Sequence, residues 1–237
     1  MHTTELDPTL AATLSKARKQ NWRLVIGNKN YSSWSMRPWV AMKAFGIPFT
    51  EIPIMLGQPD TGIKIAQYSA SGRVPVLIAG DVTVWDSMAI CEYLAEQFPE
   101  LRMWPGDVAA RAVARSVCGE MHSGFTDLRA AMAMNVRASF PGKGRTPGAQ
   151  ADIGRISEIW ENCLAEYGQQ HYLFGDFSIA DAYFAPVVMR FRTYAVTLPP
   201  TLQAYCDRVV AHPAVAEWIR AACAEPERLE KYDAPPE

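Results

Sequence analysis

Strand-forming signals in this chain end at Trp85, and everything beyond residue 107 reads as helix. A fold in which strands and helices alternate along the whole length is thereby excluded. What the pattern permits is a small sheet-bearing unit followed by an all-helical one. Pro99, Pro105 and Gly106 mark the joint between them. The expected division is an N-terminal extension over 1–21, an α/β domain over 22–103 and a helical domain over 107–231.

Within the first unit, Trp22–Ile26 is an apolar run stopped by Gly27-Asn28, and reads as a buried strand. A polar loop, Asn28–Ser35, leads to a helix from about Ser35 to Phe45, with Met36, Trp39 and Val40 on one face and Gly46 as its stop. Phe49–Leu56 reads as a second strand. Pro53 lacks an N–H for a ladder and assigns it to an edge. After a short helix over Ile63–Ser69, Val76–Ile78 and Val82–Trp85 flank Ala79-Gly80-Asp81 as a hairpin. Ser87 then reads as the N-cap of a helix carrying Met88, Cys91, Leu94 and Phe98. The order β-α-β, short helix, β-β-α describes a thioredoxin-like domain.

The helical half reads as a bundle. It has a long helix over Val108–Arg137, a break at Phe140–Gly148, and helices at Ala149–Tyr167, Ile179–Tyr194, Leu202–Ala211 and Ala214–Ala222. At the other end, Asp7-Pro8 can cap a helix over Thr9–Lys19; the alternative is a loosely packed extension.

A net charge of −2 leaves no polybasic footprint, so nucleic acid is not an expected partner. No apolar run approaches the ~20 residues a membrane span needs. The first twenty residues carry Glu5, Asp7, Lys16, Arg18 and Lys19, unlike a signal peptide. The five cysteines are widely spaced without a C-x-x-C, which argues against a disulfide framework or a zinc site and for a reducing cytoplasm. No metal is expected.

Three features carry chemistry. Gly72-Arg73-Val74-Pro75 directly precedes a strand. A cis proline there would turn the Val74 N–H and C=O outward, where they can pair with an extended peptide as one more strand. Asp86-Ser87 lies at a strand-to-helix step: the helix N-terminus and the Ser87 hydroxyl suit a carboxylate, and Asp86 suits an ammonium, so together they match the head of a free amino acid. The loop Asn28–Arg37 offers hydroxyls before a helix, which favour a thiolate over a thiol. Each feature alone is also an ordinary turn proline or helix cap.

Together these segments resemble the cytosolic glutathione transferase family. Ser69-Ala70-Ser71-Gly72-Arg73-Val74-Pro75-Val76-Leu77 is similar to the family's N-P-x-G-x-V-P-x-L segment, with Ser-Ala in place of Asn-Pro. Asp86-Ser87-Met88-Ala89-Ile90-Cys91-Glu92-Tyr93-Leu94 resembles its [ED]-S-x-A-I-x-x-Y-L segment, and Phe177–Tyr183 its capping box, with Ser178 as cap and Asp181 reaching back. The loop Ser32-Ser33-Trp34-Ser35-Met36-Arg37 is similar to those of the serine-type zeta and tau classes, with Trp34 where the zeta loop has cysteine.

The resemblance implies a glutathione S-transferase, in which glutathione is the co-substrate attacking a small, hydrophobic electrophile, and a detoxifying role in the cytoplasm. It implies Ser32 as the residue assisting the sulfur, with Ser33 and Tyr31 as alternatives. Arg73, Val74, Pro75, Asp86 and Ser87 would bind glutathione, and the protein would be a homodimer. Alternatives are a maleylacetoacetate-type isomerase using glutathione, or a non-catalytic glutathione or ligand binder.

For the electrophile, Trp34, Met121, Phe125 and Arg129 are the candidate lining residues, although Met121, Phe125, Leu128 and Met132 fall at helical spacing that also suits bundle core. Arg129 or Arg137 could attract an anion, and His122 reads as structural. No cysteine lies in Asn28–Arg37, which disfavours thiol–disulfide exchange, and Cys91 reads as core.

Overall fold

The computed structural model describes residues 8–168 and 171–234. Residues 1–7 of the expected extension lie outside them. From Pro8 the chain is not loosely packed: α1 (Pro8–Lys19) forms a helix that buries Leu10 and Ala17.

A four-stranded sheet follows, ordered β2-β1-β3-β4, from β1 (Arg23–Gly27), β2 (Thr50–Ile54), β3 (Val76–Ala79) and β4 (Val82–Trp85). β1 pairs parallel to β2 and antiparallel to β3, and β3 and β4 form the hairpin. Pro53 lies on the edge strand, opposite Ile26. The sheet is covered on both faces, so β1 reads as an unbroken apolar run. Leu24 and Ile26 pack with Met36, Trp39 and Val40 of α2 (Ser33–Ala44) and with Ile90 and Leu94 of α4 (Ser87–Gln97). Val25 and Val76 pack on the opposite side with Ile65 of α3 (Thr61–Ala66).

A single 3-10 turn at Pro99–Leu101 leads to the helical half. Its elements are α5 (Val108–Ser123), α6 (Thr126–Ala131), α7 (Pro147–Glu166), α8 (Ile179–Thr193), α9 (Pro200–Ala211), α10 (Pro213–Ala224) and a last turn, α11 (Glu230–Asp233). The long helix expected over Val108–Arg137 is therefore two. The Gly124 N–H closes α5 on the Glu120 carbonyl at 2.8 Å, and Phe125 then adopts a left-handed conformation with φ 55°. A Cβ at Gly124 would stand 2.8 Å from that carbonyl, so glycine is what permits the closure. From Ile179 to Phe191 every residue of α8 is buried. An all-round buried helix is a hub: α8 packs against α2, α5 and α9, joining the two halves.

Candidate active site

β1 ends at Gly27, where an added Cβ would lie 3.1 Å from the Ser32 Cβ; the missing side chain lets the following loop fold back on the strand. Ser32 then caps α2, accepting from the Ser35 N–H at 3.4 Å. The Ser35 hydroxyl accepts the Gly27 N–H at 3.1 Å and lies 2.8 Å from the Ser32 hydroxyl. Two hydroxyls can share that bond in either direction. As it stands Ser32 donates to the Ser35 Oγ, and its hydrogen turns to an anion beyond it only when Ser35 takes over as the donor of that bond.

The Val74-Pro75 bond is cis and precedes β3. Among the described residues no backbone hydrogen bond involves the Val74 N–H or C=O. Between β4 and α4, Asp86 holds φ 76° and ψ 133°, a backbone geometry that a non-glycine residue keeps only under constraint and that tends to mark functional sites. Asp86, not Ser87, is the N-cap of α4: its Oδ1 accepts from Met88 N and Ala89 N at 2.8 and 3.3 Å. Ser87 is the first helical residue. It is buried, with its Oγ 2.8 Å from the Tyr183 hydroxyl, because α8 brings Tyr183 underneath.

Two cavities meet at this edge of the sheet. One, of about 500 Å³, is lined by Val74, Pro75, Trp85, Asp86, Ser87 and His122, among others. The second, of about 520 Å³, is lined on one side by Ser32, Ser33 and Val74 and on the other by Arg129, Arg190 and Tyr232. Trp34, Arg73 and Val74 border both. Met121 and Phe125, expected in the wall of the second cavity, are instead packed into the core, Met121 completely. Trp34 and Arg129, expected with them, do line it.

His122 is more than packing. Its Nε2 lies 3.3 Å from Asp86 Oδ2 and its Nδ1 2.8 Å from the Tyr183 hydroxyl, so Asp86, His122, Tyr183 and Ser87 form one chain of polar contacts. Burial lowers the His122 pKa. Asp86 pulls it upward, and the nearby Arg37 and Arg129 push it down again. A His122 that is neutral at pH 7 leaves the Asp86 charge unpaired.

Tyr31 uses all of its hydroxyl. It donates to Asp233 at 2.8 Å and accepts from Arg137 and from the Leu229 N–H, which occupies one hydrogen and two lone pairs. Arg137 is likewise committed: it donates to the Glu225 and Glu227 carbonyls as well as to Tyr31, and so is no free anion receptor. The buried thiols of Cys91, Cys118, Cys163 and Cys206 all have their pKa raised, burial being the main cause in each, which makes them poor nucleophiles. Among the described residues no group of His, Cys, Asp and Glu is placed to hold a metal ion, and no helix is long and apolar enough to cross a membrane.

Residues 31–97 match the family model described as glutathione S-transferase, N-terminal domain, and residues 112–221 match the one described as glutathione S-transferase, C-terminal domain. The chain belongs to the glutathione S-transferase family. It is 28% identical to the maleylacetoacetate isomerase of Rattus norvegicus, over 71% of this chain and 77% of that one. A glutathione transferase homologue from Burkholderia, solved with bound glutathione, superposes with a TM-score of 0.67 at 25% identity, covering 85% of this chain and 97% of the other. A bacterial maleyl pyruvate isomerase described as zeta class has the same TM-score at 22% identity, covering 87% and 100%, and shares the fold.

Several contacts in the site of this transferase carry no sequence signal, although Ser35 and Tyr183 lie in segments that do: Ser35 behind Ser32, Tyr183 beneath Ser87, and the tail that reaches back over the loop. The Glu225 carboxylate accepts the N–H groups of Lys29 and Asn30 at 2.6 and 3.0 Å, and Tyr232 reaches the second cavity. Glu225→Ala orphans both donors, a loss of about 1.5 kcal/mol each. Amide hydrogen exchange at Lys29 and Asn30 is expected to accelerate about tenfold or more, with the β1 amides unaffected.

Proposed function

We propose that this transferase binds glutathione across the first cavity and delivers its thiolate to a small electrophile in the second. The observation that carries this reading is the convergence of the Val74 backbone, the Asp86 carboxylate and the N-terminus of α4 on one cavity that opens, past Trp34, onto another lined by two serines. Residues 22–103 then form the glutathione-binding domain, and the helical domain, 107–231, supplies the far wall. Val74 pairs with the cysteinyl backbone as an added strand, beside Pro75. Asp86 takes the γ-glutamyl ammonium. The Ser87 N–H, at the positive end of α4, takes its carboxylate. Arg73, exposed at the rim, faces the glycyl carboxylate. Ser32 donates to the sulfur, since Tyr31 has no hydrogen left to give; Ser33 is the alternative. Trp34 and Arg129 line the electrophile side.

Asp86→Ala removes a charge-assisted contact, which contributes about 1.5–3 kcal/mol. The glutathione KM in conjugation to an aryl halide is expected to rise about tenfold or more, with a smaller change in kcat. An unchanged KM would remove Asp86 from the site. The absence of any thiol conjugation, with glutathione still bound in a calorimetric titration, would favour a non-catalytic binder.

The similarity to the rat maleylacetoacetate isomerase favours a second reading, glutathione-dependent cis–trans isomerisation. Isomerisation of a cis-enedione acid without net consumption of glutathione would establish it. A cytoplasmic homodimer is the assembly we propose. The exposed apolar side chains of Val82, Trp85 and Val108 support it, and the mass in solution by light scattering tests it.

A further inference from the structure

Beyond the second cavity lies a third, of about 500 Å³, lined by Ala130, Tyr194, Lys231 and Ala234, among others. The two share a wall made of Arg129, Ala133 and Tyr232. Ala133 contributes only a methyl group to it. The Arg129 guanidinium is turned to the His122 and Gly124 carbonyls and toward the Trp34 ring, 5.2 Å away. Of the three, Tyr232 alone brings an aromatic ring, and it alone comes from the tail.

That tail has little apolar reason to stay in place. α11 buries none of its four side chains, and a chain end of this kind frays unless it is tied down. Hydrogen bonds to two residues of other segments tie it. The Asn135 amide donates to the Tyr232 carbonyl and to Asp233 Oδ1, both at 3.0 Å. The Tyr31 hydroxyl donates to the same Oδ1 at 2.8 Å and accepts the Leu229 N–H at 3.1 Å. Asn135 is itself buried and held by the Asn30 amide at 2.8 Å. The tail is thus strapped to the loop that leads into Ser32, and the strap sets the Tyr232 ring 5.8 Å from the Tyr31 ring. Among the described residues the Tyr232 hydroxyl has no hydrogen-bond partner, so the backbone is anchored and the ring is positioned by packing. Bonds made by a segment that buries no side chain fix the place of that ring rather than a core.

We infer that Tyr232 determines how long an electrophile the second cavity accepts. Its ring is the partition on the side away from Ser32, and without it the second and third cavities become one. This presupposes the glutathione-conjugating reading and adds the residue that selects its substrates by length. A substrate tail that reaches the ring must stop or turn into solvent, where further methylenes stay hydrated. With the ring gone, they enter the third cavity against Ala130, Ala133 and Tyr194, and each methylene buried there tightens binding about fourfold.

The test follows the binding of S-alkylglutathiones, from methyl to decyl, by calorimetry. In the wild type, affinity is expected to rise about fourfold per methylene up to one length and then to level off. In Tyr232→Ala the rise should continue past that length, so that the longest conjugates bind at least about tenfold more tightly than to the wild type. Tyr232→Phe keeps the ring and should keep the wild-type limit. A thermal melt shows that each variant is folded, as expected for a side chain that α11 leaves unburied. The same limit in wild type and Tyr232→Ala overturns the inference and leaves the transferase reading intact. So does a wild-type affinity that climbs without a limit through decyl. A limit that moves as far in Tyr232→Phe as in Tyr232→Ala overturns it too, because the ring is then not the barrier. If no S-alkylglutathione binds at all, the glutathione reading fails and the partition falls with it.

Discussion

Ser32→Ala is expected to lower glutathione-conjugating turnover about 10²-fold near neutral pH while leaving the glutathione KM almost unchanged. The magnitude is that of removing one well-placed donor from a developing or resident anion. It arises because the Ser32 hydroxyl is backed by Ser35, which is itself fixed by the Gly27 N–H. A bound thiolate draws the Ser32 hydrogen away from the Ser35 Oγ, and Ser35 then donates back to Ser32, which keeps the hydroxyl fixed beside the sulfur. Loss of the donor shifts the bound thiol toward its protonated form, at 1.36 kcal/mol per pKa unit. Ultraviolet titration of enzyme-bound glutathione should show the thiol pKa rising by about one to two units, in step with the lost turnover. The same substitution removes the cap of α2, about 1 kcal/mol of stability, so a modest drop in melting temperature accompanies it. Ser35→Ala should reproduce the rate effect more weakly, since the donor remains but loses its support. Ser33→Ala should matter less, because the Ser33 Oγ is held from the side by Arg190 at 3.3 Å. A large loss in Ser33→Ala with little in Ser32→Ala would exchange their roles.

What could be read from the sequence follows from how local each signal is. The hairpin around Gly80 and the edge placement of Pro53 rest on neighbours within a few residues, and both stand in the structure. The break between α5 and α6 was hidden because Met121, Phe125 and Leu128 keep helical spacing across Gly124, and only the close approach of Gly124 to the Glu120 carbonyl gives the glycine a purpose. Ser87 and Asp86 are both good caps; choosing between them requires Tyr183, 96 residues away, which claims the serine hydroxyl and leaves the cap to aspartate. The tail contacts of Glu225 and Tyr31 are equally non-local. Arg37 and Arg190 were illegible for a different reason: arginine in an amphipathic pattern reads as solvent-facing, yet both are buried. Pattern reasoning assumes that charge stays outside, and it fails where a site needs charge inside.

Asp181→Ala is expected to cost about 3 kcal/mol or more of folding stability. The carboxylate accepts the N–H groups of Leu173 and Ser178 and the hydroxyls of Ser178 and Tyr205, all of them buried. Alanine leaves these donors without a partner, and each orphaned buried group costs about 1–3 kcal/mol before relaxation. The damage reaches function because this capping box starts α8, the helix that carries Tyr183 to Ser87 and Arg190 to the second cavity. Asp181→Asn keeps the shape and one acceptor but turns an NH₂ group toward donors, so an intermediate loss is expected. Burial pushes the Asp181 pKa up to about 6, against the downward pull of its hydrogen bonds. The native carboxyl thus holds its proton more tightly than the unfolded one. Its stabilising contribution is full below the unfolded value near 4 and declines as pH rises through 6. Denaturant melts of wild type and Asp181→Ala should therefore differ more at pH 5 than at pH 8. A gap that widened with rising pH would mean that the carboxylate, not the acid, is the form the native state favours.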